Sequence, residues 1–157
     1  MNIGSPIAQA PNGVLNLKTA ILLIDRDLGF MFWLGRELDK AGYEAFPAKS
    51  VPDALKLIAE LHLSVGLVIL SDSLPGAANF VSTLRHTQKR LRILSLVEDA
   101  DEPNRLGADA LQVRLDKIRE NSRVEWLQLI QKILSPSAHA NGNGNFHKGA
   151  CRGNVIP

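Results

Sequence analysis

Three short, almost purely apolar runs constrain the fold of this chain more than any other feature. They are AILLID (residues 20–25), VGLVIL (65–70) and LRILSLV (91–97). Each is too short to span a membrane, and none shows the strict alternation of a strand with one wet face. We therefore predict strands that are buried on both faces of a sheet.

The segments between these runs have the period of amphipathic helices. Two of them begin with the spacing of a capping box, Ser50 with Asp53 and Ser122 with Glu125. Helices are predicted over 27–42, 50–62, 77–87 and 122–134, and two further strands in YEAFPA (43–48) and GADALQVRL (107–115). The apolar stripes are Met31, Leu34, Leu38 and Ala41; then Ala54, Leu55, Ile58 and Leu61; and finally Val124, Leu127, Ile130, Ile133 and Leu134.

This order of elements predicts one α/β domain. Strands that alternate with helices form βαβ units, so we expect a doubly wound parallel sheet of about five strands with helices on both faces. The predicted domain covers 19–134. Residues 1–18 lack periodicity and are predicted to be a flexible arm, and the Asn/Gly-rich residues 135–157 a disordered tail.

Charge and composition exclude several classes of function. The net charge is only +2, so nucleic-acid binding rests on the short basic run at 85–92 and the tail alone, which is a weak basis. The N-terminal residues lack the features of a signal peptide, and no apolar run is long enough for a bilayer. With one cysteine, Cys151, we expect a cytoplasmic protein without disulfides. His139, His147 and Cys151 match no zinc spacing.

Several motifs in their order along the chain resemble the receiver domain of bacterial response regulators, which has the CheY-like, flavodoxin-like fold. The motifs are ILLIDRD, AGY at the end of the first helix, DALKLI, LVILSDSLPG, RILSLV and GADALQVR. The resemblance covers about residues 18–134. It implies a role in a two-component pathway, with a protein partner such as a histidine kinase, and not an enzyme.

The resemblance also implies site positions at the carboxyl ends of the strands. In that family an aspartate after the third strand accepts a phosphoryl group, an acid pair holds Mg²⁺, and a Thr or Ser and a Lys contact the phosphoryl group. The matching positions are Asp25 and Arg26 for the acid pair, Ser71 for the phosphoacceptor, Val97 for the hydroxyl, Arg114 for the lysine and Leu111 for an aromatic switch residue. Only Asp25 and a cation are kept.

Ser71 and Asp72 give two interpretations of the acceptor position. A shift of one residue turns a side chain to the other face of a strand, so Asp72 needs a bulge to replace Ser71. With a bulge, Asp72 would be the acceptor, and Asp72 and Asp25 would form the alternative Mg²⁺ site. Without a bulge, the Asp72 side chain bonds to nearby backbone, and we expect no metal or other cofactor. Arg26 either lies over Asp25 and Asp72 in place of the metal, or faces solvent.

Phe30 and Trp33 are predicted to contact a partner. Trp33 lies nearly opposite the buried stripe of the first helix and Phe30 at its edge, and exposed neighbouring aromatic residues mark contact surfaces. The alternative is that the arm covers them, through Ile7, Val14 and Leu15.

The stretch after the fourth strand is about one helical turn shorter than the family's. Residues 98–106 are then a stunted fourth helix before a fifth strand. Alternatively, residues 101–115 form a single helix and the fifth strand is lost.

We therefore expect a pseudo-receiver that signals through protein–protein contacts without phosphorylation. The alternatives are a receiver that is phosphorylated on Asp72 with Mg²⁺, and a small-molecule-binding flavodoxin-like protein or enzyme. No glycine-rich loop follows a strand to hold a phosphate for the last of these.

Overall fold

Five parallel strands form one sheet in the computed structural model, which describes residues 18–114 and 122–136. The strands are β1 (Ala20–Ile24), β2 (Glu44–Ala48), β3 (Val65–Ser71), β4 (Arg92–Val97) and β5 (Ala110–Val113). Their order is β2-β1-β3-β4-β5, with every neighbouring pair parallel. This confirms the predicted doubly wound α/β fold.

Four helices cover the two faces of the sheet. They are α1 (Leu28–Lys40), α2 (Val51–Leu61), α3 (Ala77–Thr87) and α4 (Ser122–Leu134). Alternate residues of a strand face opposite layers. In β3, Leu67 and Ile69 pack in a core with α1 and α4, whereas Val68 and Leu70 pack in a core with α2 and α3.

Local chemistry sets the helix ends. The Asp27 side chain accepts a hydrogen bond from the Phe30 backbone N–H (3.0 Å), so α1 begins after Asp27 rather than at it. At α2, the Ser50 Oγ accepts from the Asp53 N–H (3.2 Å) and donates to the Asp53 carboxylate (2.8 Å). The predicted capping at Ser50 is confirmed.

The predicted apolar stripes are correct at their centres and wrong at their edges. Ala41 is exposed. Leu55, Leu61 and Val124 are also exposed, at 45%, 51% and 55% of their surface. The stripe of α4 instead includes Trp126, which is buried between α4 and α1. For α4 the cause is that it packs against α1 as well as against the sheet, so its buried arc depends on its neighbour as well as on its own period.

Residues 98–109 contain turns and bends and no helix. Asn104 closes this loop, because its side-chain amide donates to the Ala108 carbonyl (2.8 Å) and its side-chain oxygen accepts from the Ala108 N–H (2.7 Å). β5 follows and pairs with β4 from Ala110 to Val113. The predicted fifth strand is confirmed, and both the stunted fourth helix and the single helix over 101–115 are wrong. α4 therefore corresponds to the fifth helix of a receiver.

Parts of several predictions lie outside the described residues. These are the arm before Lys18, the tail after Pro136 with His139, His147 and Cys151, and the loop 115–121. Within 18–114 and 122–136, no helix combines the length and apolarity needed to cross a membrane.

Candidate functional site

The predicted site residues lie at the carboxyl edge of the sheet. Because all five strands are parallel, the residues that end or follow them meet at one edge. Asp25 follows β1, Ser71 ends β3, Val97 ends β4 and Arg114 follows β5. Asp25, Ser71 and Val97 are nearly inaccessible, with 2%, 4% and 2% of their surface exposed.

Arg114 connects the two ends of this edge. Its backbone N–H donates to the Val97 carbonyl (2.8 Å), which continues the ladder between β4 and β5. Its guanidinium Nη2 lies 3.1 Å from Asp25 Oδ1 and 3.1 Å from Asp27 Oδ2. The side chain is 18% exposed and crosses from β5 to β1, past the ends of β3 and β4.

Asp25 and Asp27 form a hydrogen-bonded pair under this guanidinium. Asp25 Oδ1 accepts from the Asp27 backbone N–H (2.8 Å), and Asp27 Oδ1 accepts from the Phe30 N–H. The Phe30 N–H, and then Arg114, hold the pKa of the Asp27 carboxyl below its usual value. The other oxygen of Asp25, Oδ2, is buried and has no hydrogen-bond partner among the described residues.

The hypothesis that Arg26 replaces the metal over Asp25 is wrong. Arg26 is exposed, and the cation that contacts Asp25 is Arg114. The physical reason is alternation: Asp25 turns into the edge, and its neighbour in the chain turns out toward water. The cation at the predicted lysine position, Arg114, thus contacts the carboxylate that Arg26 was expected to cover.

Ser71, the predicted acceptor position, ends β3. The register of β3 against β4 runs without a shift from Leu67 to Ser71, so Ser71 lies on the same face as Ile69, in the layer of α1 and α4. Its Oγ is 2.9 Å from the Oγ of Ser73. A hydroxyl pair therefore lies at the position for which the resemblance implies a carboxylate.

Asp72 faces the opposite layer. Its backbone N–H donates to the Leu96 carbonyl (3.1 Å), which extends the ladder with no bulge. Its Oδ2 is buried and has no hydrogen-bond partner among residues 18–114 and 122–136. Burial, and then the nearby charge of Glu102, raises the pKa of the Asp72 carboxyl above its usual value.

This edge does not fit the Mg²⁺ ion that the receiver resemblance implies. Mg²⁺ prefers several oxygen ligands, usually carboxylates and waters. Asp25 already shares Arg114 with Asp27, Asp72 turns to the other layer, and Arg26 brings a positive charge to the second acid position. Within the described ranges, no three His, Cys, Asp or Glu side chains cluster closely enough to hold a metal.

Of the three predicted switch positions, Val97, Leu111 and Arg114, the first two have apolar side chains. Val97 is apolar and buried, and so has no hydroxyl to offer a phosphoryl group. Leu111 pairs with Ser95 in the ladder of β4 and β5 and is partly buried.

The aromatic residues of α1 are arranged differently from the prediction. Phe30 is buried (7% exposed) against Trp126 of α4, with ring centroids 5.6 Å apart, and Trp33 is partly buried beside it. The expectation that Phe30 is exposed is wrong. The exposed aromatic residue is Phe32, at 67%.

Three similar solved structures, compared over about three quarters of the chain, share this fold. The chemotaxis protein CheY4 of Vibrio cholerae is 20% identical with a TM-score of 0.62, and the match covers 74% of this chain and 99% of that one. The response regulator TrrA of Thermotoga maritima, in complex with Mg²⁺-BeF, is 25% identical with a TM-score of 0.58 and the same coverage. TrrA in complex with the histidine kinase ThkA is 24% identical with a TM-score of 0.59, and the match again covers 74% of this chain and 99% of that one.

The fold is that of a response-regulator receiver. No protein-family model and no curated protein matches the sequence. The strand order is that of the receiver fold. Of the site positions predicted from the resemblance, only Asp25 and the cation Arg114 match the residue types that the resemblance implies.

Some residues that shape the site carry weak sequence signals. Ser73 lies two residues after Ser71, the spacing that returns a side chain to the same face. Asp27 is visible as a helix cap, but its contact with Arg114 joins positions 87 residues apart.

Proposed function

We propose that this protein is a signal-transduction module of receiver type that works by protein–protein contact and does not run a phosphorylation cycle. The observation that carries the proposal is the Arg114 guanidinium, which contacts both Asp25 and Asp27 while Ser71 occupies the acceptor position. Phosphoryl transfer depends on positioned charges, and here those charges satisfy one another.

The proposed partner is a histidine kinase or another signalling protein. The structure of TrrA in complex with the histidine kinase ThkA supports this, since this chain shares its fold with TrrA. A cytoplasmic location and the absence of a cofactor belong to the same proposal. We place the partner contact on the exposed side of α1, where Phe32 takes the role expected of Phe30.

A small-molecule-binding protein or an enzyme is disfavoured by the polar chemistry of the carboxyl edge. Its carboxylates either pair with Arg114 or turn to the opposite layer. No histidine follows any of the five described strands, so a general base of that kind is missing beside them.

Intact mass after incubation with acetyl phosphate and Mg²⁺ tests the proposal. The wild-type chain, Asp72→Asn and Ser71→Ala are compared, with an ordinary receiver as the positive control. We expect no phosphoryl adduct on any of the three. An adduct on the wild type that is lost in Asp72→Asn would show that Asp72 is an acceptor, and loss in Ser71→Ala would show the same for Ser71; either result contradicts the proposal.

A further inference from the structure

An apolar groove runs along the outer side of the sheet between α1 and β2. It consists of two hollows on either side of Phe32, which share Met31, Phe32 and Pro47 as lining residues. One hollow, of about 190 Å³, extends to Leu28 and Lys49. The other, of about 280 Å³, extends to Asp39 and Glu44. The groove thus leads from the amino end of β2 to its carboxyl end.

The chain before Lys18 enters the fold at the amino end of this groove. The Lys18 ammonium lies 4.0 Å from Asp39 Oδ1, and the Glu44 N–H donates to the Thr19 carbonyl (3.1 Å). Asp39 and Glu44 are lining residues of the second hollow. Residues 1–17 are therefore attached beside one end of the groove.

Composition and length suit residues 1–17 to this groove. The segment has no Asp, Glu, Lys, Arg or His, and it carries Ile7, Val14 and Leu15. An uncharged segment adds no charge of its own that must lose water in the groove. The charged lining residues are Arg36, Asp39 and Glu44 in the hollow near Lys18, and Lys49 in the other hollow. The five residues of β2 span about 17 Å, whereas seventeen residues can reach about 55 Å when extended.

The tail after Pro136 is a weaker candidate than residues 1–17 for occupying this groove. It carries Lys148 and Arg152, and it leaves from α4. Near its end α4 lines a hollow with Arg92 and Asp109, next to β4 and β5. β5 and β2 are the two opposite edges of the sheet.

We propose that residues 1–17 of this chain dock in the groove around Phe32 and cover the exposed side of α1. Val14 and Leu15 fill the hollow nearest to Lys18, and earlier residues continue toward Leu28. This docking does not depend on the proposed signalling role. Its consequence, that the segment competes with a partner for α1, rests on that role.

Paramagnetic relaxation of the full chain tests the docking. Cys151 is the only cysteine, so Cys151→Ser with Asn12→Cys allows a single nitroxide label within the segment. The segment is joined to the fold at Lys18, beside Glu44, whether or not it docks. The informative amide signals are therefore those of Leu28 and Lys49, at the far end of the groove. We expect these signals to lose intensity.

Two charge substitutions make the test specific. Phe32→Glu places a charge in the groove and should restore the intensities. Leu61→Glu changes an exposed apolar residue of α2 in the same way and should leave the losses unchanged. Full intensity at Leu28 and Lys49 in the starting protein, or the same losses in Phe32→Glu, would overturn the proposal. A mixture of nitroxide-labelled chains without ¹⁵N and unlabelled ¹⁵N chains tests for docking between copies. Intensity losses at Leu28 and Lys49 in that mixture would show that a second copy occupies the groove, which would also overturn the proposal. These readouts are independent of phosphorylation.

Discussion

At the scale of single residues, Arg114 neutralises a carboxylate that the fold has removed from water. Asp25 is 2% exposed, and its contacts are the Asp27 N–H and the Arg114 guanidinium. Removing one partner of such a pair leaves a buried charge without compensation. We expect Arg114→Gln to lower the free energy of unfolding by about 3 kcal/mol, measured by urea denaturation.

A double-mutant cycle separates the pair from other effects of the substitution. In Asp25→Asn the charge is absent, so adding Arg114→Gln should cost clearly less than it does in the wild type. Equal costs in the two backgrounds would mean that Arg114 stabilises the fold through packing and not through Asp25.

Asp72 provides a prediction about pH. Burial and the charge of Glu102 raise the pKa of its carboxyl in the folded state, so the folded chain holds this proton more tightly than the unfolded chain does. The resulting penalty is absent below the unfolded pKa of about 3.9 and grows as pH rises toward the raised folded value. We expect the stability of Asp72→Asn relative to the wild type to increase over this interval and then level off.

The measurement is the urea midpoint of both proteins across acidic to neutral pH. Asp101→Asn, an exposed acid next to Glu102 in the loop after β4, is the control. A relative stability of Asp72→Asn that falls with rising pH would show that the fold stabilises the Asp72 carboxylate and lowers its pKa, which contradicts the prediction.

At the scale of elements, the contact between α1 and α4 is centred on Phe30. This side chain lies in the core of α1 and α4, with its ring 5.6 Å from that of Trp126. We expect Phe30→Ala to lower the free energy of unfolding by about 3–5 kcal/mol, because it leaves a cavity in a packed core. Phe32→Ala, two residues on and 67% exposed, should cost about 1 kcal/mol or less. Similar losses in a thermal or urea melt would contradict the assignment of these two rings.

The elements themselves could be predicted because their signals are local. The buried strands are continuous apolar runs, and α2 begins at a capping box that Ser50 and Asp53 form within four residues. The burial of Phe30 could not be predicted in this way, because it depends on Trp126, 96 positions further along the chain. Glu37 is a similar case: it is 8% exposed in α1 because Arg123 of α4 reaches it.

The candidate site also has features that follow from local sequence and features that depend on residues far apart in the chain. That Ser71 and Asp72 face opposite layers follows from the two-residue period of a strand, and the unbroken register of β3 confirms it. Which cation lies on Asp25 could not be derived from period or spacing. Arg26 is the neighbour in sequence, but Arg114 is the neighbour across the carboxyl edge, and only the assembled sheet brings it there.

At the scale of the whole molecule, a receiver fold is combined with a carboxyl edge at which Arg114 forms ion pairs with Asp25 and Asp27. The strand order and both cores are those that a receiver needs, and the substitutions concern a few side chains at one edge. Receiver chemistry should therefore be recoverable without rebuilding the core. The variant Arg26→Asp, Ser71→Asp, Arg114→Lys provides three carboxylates with Asp25 and replaces the planar guanidinium, which can reach both Asp25 and Asp27, by a compact ammonium.

We expect this triple variant to bind Mg²⁺, measured by calorimetry, and to gain a phosphoryl adduct with acetyl phosphate, neither of which the wild type should show. Carboxylate oxygens on the face of Ser71 are the ligands that Mg²⁺ requires. The matched control moves one acid: Arg26→Asp, Ser82→Asp, Arg114→Lys has the same net charge, but its third carboxylate is on an exposed residue of α3. Equal Mg²⁺ binding by both variants would mean that added negative charge, and not the position at the end of β3, is responsible. Failure of the first variant to bind Mg²⁺, despite an intact fold, would show that the edge differs from a receiver in its backbone as well as in its side chains.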